Sequence, residues 1–191
     1  MNNAIVENGL AEKINNGDAD IFEEIMDRYA AGLMNFIYSY VRNREEAEDI
    51  TQEVFFRLWK KREKYQPTAK LSTYLYRIAA NLCIDYKRKE ARSPLTYSID
   101  EPVQKTDGDV PRELKESGPT PEEIIDNRSE RIRVEKALEG LPAKQRMALI
   151  LRTYENKNYQ EIAEILKCSK PSVESLLFRA RQNLKQGLNS D

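Results

Sequence analysis

The chain has 191 residues, 33% of them charged and 40% hydrophobic, with a net charge of –1 and no histidine. This length allows one domain or two small ones. Without histidine the commonest general base and metal ligand are gone, and the seven glycines form no GxGxxG or GxxxxGK[ST] phosphate cradle, so an enzyme is not expected and no metal or cofactor is called for.

The longest unbroken apolar run, Met147–Leu151, is far below the roughly 20 residues that cross a bilayer. The start, MNNAIVENGLAEKINNGD, lacks the basic and apolar parts of a signal peptide. Cys83 and Cys168 form no CxxC, which fits a reducing cytoplasm. The near-zero net charge hides segregation: residues 1–56 carry –8, 57–92 carry +8, 93–130 carry –6 and 131–191 carry +5. Two basic blocks in one chain point to two contacts with a polyanion.

Helical spacing dominates both ends, and no long strand alternation occurs, so the expected class is all-α with two small helical domains. The first, residues 1–92, holds four main helical stretches. Asp18 is placed to cap one beginning IFEEIMDRY, and the apolar stretch LMNFIYSYV follows, ending near Asn43. Asn43 caps the next, with Glu46 in capping-box position, and this helix runs to about Lys61. After a polar loop containing Pro67, a helix runs from about Thr73 to Lys89.

Five of the eight prolines fall between Pro94 and Pro121, with Gly108 and Gly118 among them and no apolar period. Residues 93–119 are therefore expected to be an acidic linker. The second domain, 120–191, opens at Thr120-Pro121-Glu122-Glu123, a cap followed by proline at the first helical position. Gly140 stops that helix and Pro142 starts another through AKQRMALILRTYE. Two helices, Tyr159–Leu166 and Lys170–Gln186, finish the chain around a Lys167-Cys168-Ser169 turn.

That last pair has the pattern of a helix-turn-helix. Val173, Leu177, Ala180 and Leu184 make one buried stripe on its second helix. Lys170, Ser172, Ser175, Arg179 and Arg181 lie largely off the stripe, where polar and basic groups suit base edges and phosphates. On the helix from 44, Ala47, Ile50, Val54 and Leu58 form the core stripe, while Asp49, Gln52, Glu53 and Phe56 cluster opposite. A phenylalanine among acidic and amide groups suits a basic protein partner with an apolar centre. The helix from 73 is expected to bury Leu75, Ile78, Ala79, Leu82 and Tyr86. It leaves Tyr74, Arg77, Asn81, Lys87 and Arg88 for other faces. The loop before it, Lys64 to Lys70, is basic and carries Tyr65; such a surface can hold single-stranded DNA.

In this order and spacing, AEDITQEVFFRLW, LSTYLYRIAANLCIDYKRK and LPAKQRMALILRTYENKNYQEIAEILKCSKPSVESLLFRARQNLK resemble the extracytoplasmic-function (ECF) group of bacterial RNA polymerase sigma factors. The likeness covers roughly residues 18–92 and 120–187. Tyr74 stands where the group usually carries tryptophan, and Ala80 where arginine is common. The resemblance implies a promoter-specificity subunit serving a stress or envelope response. Asp49, Gln52, Glu53 and Phe56 would grip core RNA polymerase. Asn81, with Arg77 and the loop bearing Lys64, Tyr65 and Lys70, would hold the melted -10 element, and Lys87 and Arg88 would take phosphates. Lys170, Ser172, Ser175, Arg179 and Arg181 would serve the double-stranded -35 element. An anti-sigma factor is the further partner it implies, with no membrane insertion by the chain itself. The acidic linker is either a free tether or a segment threaded through the polymerase's RNA-exit path. An autonomous helix-turn-helix regulator is the alternative, but no heptad seam or ligand domain supplies its dimer interface. A Mg²⁺-dependent nuclease would need an acidic pocket, and the carboxylates of 45–53 sit on a helix face.

Overall fold

The computed structural model describes residues 10–66, 69–92 and 132–189; the expected linker and the helix start at Thr120 lie outside them. Every regular element among the described residues is helical. After a short helical turn at 10–15, Gly17 adopts a left-handed φ of 71°, where an added Cβ would come within 3.1 Å of Arg62 Nε, so glycine suits this reversal twice over. Helix α1 spans Ala19–Val41, and the side chain of Asp18 accepts from the Ile21 amide at 3.2 Å. The two stretches distinguished in the sequence form this one helix. Gly32 does not break it: a Cβ there would meet the Tyr76 hydroxyl at 3.3 Å, so the glycine permits close approach.

Helix α2, Arg44–Lys60, starts at Asn43, whose side chain accepts from the Glu46 amide at 3.1 Å. A 3₁₀ turn, Arg62–Lys64, leads to α3, Leu71–Glu90. These three helices pack on one another. Leu33, Phe36, Ile37, Ala47, Val54, Leu58, Leu71 and Leu75 lie at the centre of their core, each fully buried. Burying one such leucine stabilises by about 1.5–3 kcal/mol.

In the second half, a helical segment at 132–139 stops at Gly140. Helices α4 (Ala143–Thr153), α5 (Tyr159–Leu166) and α6 (Lys170–Asn189) follow and pack together. Asn158 and Glu161 close a reciprocal capping box on α5, with bonds of 3.0 Å in both directions. The Asn158 amide and the nearby Lys157 and Lys70 charges hold the Glu161 carboxyl below its usual pKa, against some opposing burial. Such a group stabilises the fold above the ordinary glutamate range and loses that contribution as pH falls through its lowered value. Asn158→Ala should cost about 1 kcal/mol, read as a lower melting temperature at neutral pH and in acid alike, because the lost side-chain acceptor does not titrate and the backbone N–H that holds Glu161 stays.

The two halves are not separated. Helix α5 packs on α3 and α4 packs on α1, so one hydrophobic core runs from Ala11 through Cys83 to Leu177. This corrects the single buried stripe expected for α3. Ile78, Leu82 and Tyr86 are only partly buried, whereas Tyr76, Ala80 and Cys83 are buried on a second side. Burial pushes the Cys83 thiol up to about 12, in spite of the Arg146 charge.

Candidate nucleic-acid and protein interfaces

The first surface is the outer face of α2. Asp49, Gln52 and Phe56 are exposed, with Glu53 partly covered. Phe56 keeps 56% of its surface in solvent, which is unusual for a phenylalanine on a helix whose other side is a core. Glu53 accepts from Arg57 Nε at 2.7 Å, and Lys60 Nζ stands 5.9 Å from the Phe56 ring centroid. The face therefore presents carboxylates and an amide around a bare ring, opposite the buried Ala47, Ile50, Val54 and Leu58. An aromatic centre within a charged rim is the anatomy of a protein-docking patch.

The second surface lies along α3. Asn81 is exposed and lines a cavity of about 310 Å³ with Arg57, Lys61, Tyr74, Arg77, Ile78 and Lys167. Four cations surround one amide and one tyrosine, a set that attracts phosphate and can hydrogen-bond a base. The Arg77 guanidinium lies 5.1 Å from the centroid of the Tyr74 ring. Tyr65 departs from the sequence expectation. It is only 4% exposed and meets Tyr74 edge-on at 5.1 Å, so in this arrangement it supports the loop from inside and offers no ring to a base.

Of the basic candidates outside this cavity, Lys64 is exposed, while Lys70, Lys87 and Arg88 hold local partners. Lys70 Nζ lies 3.5 Å from Glu161 Oε1, Lys87 Nζ 2.7 Å from Glu90 Oε2 and Arg88 Nη1 3.2 Å from Asp85 Oδ1. Largely exposed pairs of this kind are worth at most about 1 kcal/mol, so a phosphate can displace the carboxylate.

The third surface is the outer side of α6. The turn before it places Lys167 in the left-handed region at φ 50°, its amide donating to Ala163 O. Ser169 Oγ accepts from the Ser172 amide at 3.4 Å, which starts α6, and Pro171 falls in the first turn, where its missing N–H costs nothing. Lys170, Ser172, Ser175, Arg179 and Arg181 are all exposed. At 3.6 residues per turn, the buried Val173, Leu177 and Ala180 lie opposite Ser175, Phe178 and Arg179, while Lys170 and Arg181 fall on one flank. Phe178 was not among the sequence candidates, yet it is 61% exposed on this face. Its signal was an apolar residue off the Val173–Leu184 stripe between a serine and an arginine. An exposed ring there suits the methyl group of thymine, and the flanking cations suit phosphates.

Sequence comparison matches Sigma-70 region 2 over residues 25–93 and Sigma-70 region 4 over residues 131–184. The ECF RNA polymerase sigma factor SigW of Bacillus subtilis (strain 168) is 31% identical over 93% of this chain and 94% of its own. The chain belongs to the ECF family of RNA polymerase sigma factors. The ECF RNA polymerase sigma-E factor of Escherichia coli (strain K12) is 29% identical over 95% of this sigma factor and 94% of its own length.

Among solved structures, CnrH in complex with the cytosolic domain of CnrY matches with a TM-score of 0.67 at 21% identity, covering 95% of this chain and 96% of that one. The sigma factor RpoE in complex with the anti-sigma factor NepR, from Bartonella quintana, matches with a TM-score of 0.59 at 24% identity, covering 89% and 98%. These likenesses establish the fold. In this sigma factor the region 2 match takes in the α2 face and nearly all of the α3 cavity, and the region 4 match takes in Lys167 and the outer face of α6. No helix among the described residues is long and apolar enough to cross a membrane.

Proposed function

We propose that this sigma factor is a promoter-specificity subunit: it binds core RNA polymerase through α2, holds melted -10 DNA along α3 and reads duplex -35 DNA with α6. It works in the cytoplasm and does no covalent chemistry itself. The observation that carries the assignment is the coexistence, on one chain with region 2 and region 4 matches, of an exposed aromatic within an acidic helix face and two basic surfaces, one along α3 and one on α6. Residues 1–92 would form the polymerase and -10 domain, 93–119 the linker and 120–191 the -35 domain. The RpoE neighbour is bound to an anti-sigma factor, which supports a restraining protein partner for this chain as well.

Run-off transcription tests the function. Purified chain plus core polymerase should start transcripts at a promoter where core alone does not. An autonomous regulator would instead bind a palindromic duplex without polymerase.

The assignment of α6 has its own test. Arg179→Ala should weaken -35 duplex binding by about 1–3 kcal/mol if the side chain meets a base edge, with relaxed preference at that position. A phosphate contact would give a similar loss on every sequence and a shallower salt dependence. Phe178→Ala should lose discrimination at a thymine with an unchanged salt slope. An intact footprint in both variants would remove α6 from recognition.

A further inference from the structure

We propose that the short amino-terminal turn is the buttress of the Asn81 cavity, with Asn15 as a positioning residue for base recognition; the inference rests on the assignment of that cavity to melted -10 DNA. Residues 10–17 precede the region 2 match, which begins at residue 25. Ala11 and Ile14 are buried, so the turn is anchored in the core. Its end is closed by two backbone bonds, Gly17 N–H to Ile14 O and Asp18 N–H to Lys13 O, both at 3.1 Å. With Gly17 left-handed, this is the Schellman ending of a helix, and it holds Asn15 at the last helical position.

From there the Asn15 side chain reaches the segment that leads to α3. With its nitrogen turned toward them, it stands 2.6 Å from the Arg62 carbonyl oxygen, 3.2 Å from that of Tyr65 and 3.1 Å from that of Ala11. The opposite orientation would press an oxygen against three carbonyl oxygens, so the amide donates. Two of the three acceptors, Arg62 and Tyr65, belong to the 3₁₀ turn and its carboxyl-terminal cap. Gly17 approaches the same turn, since its missing Cβ leaves room for Arg62 Nε. The Arg62 guanidinium in turn lies 4.4 Å from the Trp59 ring centroid, and its Nη1 donates to the Trp59 carbonyl at 3.1 Å.

The segment held in this way shapes the cavity. Lys61, whose carbonyl accepts from the Lys64 amide at 3.0 Å, lines the cavity with Asn81. Tyr65, whose amide donates to the Arg62 carbonyl at 2.9 Å, packs edge-on against Tyr74, which lines it as well. Asn15 is not among the lining groups; it fixes Lys61 and Tyr74 through the backbone of Arg62 and Tyr65. Groups that meet a ligand keep their geometry only when a supporting layer of hydrogen bonds holds them. A loosened turn still offers its cations to phosphate but no longer fixes where a base can sit, so discrimination falls before affinity does.

Asn15→Ala in the full chain tests the inference. By hydrogen exchange, the Lys64 and Tyr65 amides should exchange about tenfold faster than in the wild type, as the loss of two supporting hydrogen bonds implies. Run-off transcription with core polymerase is then compared on a promoter that the wild-type protein starts and on the same promoter with one -10 base changed. The ratio of the two should fall about tenfold, with assembly on core polymerase and -35 duplex binding unchanged. A variant that is merely less stable would lose transcription from both promoters alike and keep the ratio, and that result overturns the positioning role. If the variant loses its helical circular dichroism, Asn15→Ser, which keeps a hydroxyl donor, takes its place with the same readouts. Wild-type exchange at Lys64 and Tyr65 overturns the buttress, and faster exchange with an unaltered ratio overturns its part in recognition. Absence of run-off from both proteins would instead sink the sigma-factor assignment, and exchange would still decide whether Asn15 holds the turn.

Discussion

Asp49→Lys combined with Glu53→Lys should abolish assembly with core RNA polymerase while the helical circular dichroism and melting temperature stay at the wild-type values. The fold is spared because both positions lie opposite the buried Ala47, Ile50, Val54 and Leu58 stripe. Among the described residues, the one ion pair either side chain makes is the exposed Glu53–Arg57 pair, worth about 0.3–0.5 kcal/mol on a helix. At an interface the balance differs. Leaving a desolvated charge without its partner costs about 2–5 kcal/mol, and reversing it adds repulsion. That corresponds to a loss of affinity on the order of a hundredfold or more. Co-purification with core enzyme and run-off transcription should both disappear, and binding of the full-length variant to a -35 duplex should remain, since α6 is untouched. A folded double mutant that joins core polymerase with unaltered affinity would make this face solvated surface.

The second large effect is expected at Asn81. Asn81→Ala should sharply reduce open-complex formation on duplex promoters and leave assembly with core polymerase intact. The side chain is exposed in a cavity to which the -10 half itself contributes Arg57, Lys61 and Arg77, so phosphates can be held by these cations while the amide is left for a base. Losing a bidentate amide contact to a base is worth about 1–3 kcal/mol of discrimination. A template already melted across the -10 element should restore part of the activity only, because the base contact is still missing. Complete rescue would assign Asn81 to strand separation instead of base recognition. Tyr65→Phe should have little effect on either step, since that ring is inside the fold.

Much of this was legible from periodicity. Of the expected stripe, Val173, Leu177 and Ala180 are buried as spaced while Leu184 is only partly buried; Asn43 and Asp18 cap as placed, and Phe56 is exposed as expected. Periodicity reads one face at a time, which is why α3 was under-read. Its second buried side, through Tyr76, Ala80 and Cys83, exists because the carboxyl-terminal half packs on the amino-terminal half. Arg146 was illegible for the same reason: its acceptor is a backbone carbonyl 106 residues away. Gly32, inside a helical pattern, marks a close approach of Tyr76 and not a break. Tyr65 resembled a stacking residue by its basic neighbours, but an aromatic beside another tyrosine also fits a core contact, and the edge-on pair with Tyr74 takes it. Phe178 carries no charge or hydrogen-bonding group to mark it in the sequence, although base methyls are read by apolar side chains.

The central claim is that this chain gives core polymerase its promoters. It is tested most directly by adding the purified protein to core enzyme free of other sigma factors and mapping the 5′ ends of transcripts made from genomic DNA. A discrete set of new starts should appear that share one -10 and one -35 sequence at fixed spacing and vanish with the Asp49→Lys, Glu53→Lys double mutant. The same starts with and without the chain, or new starts that the double mutant still supports, would contradict it.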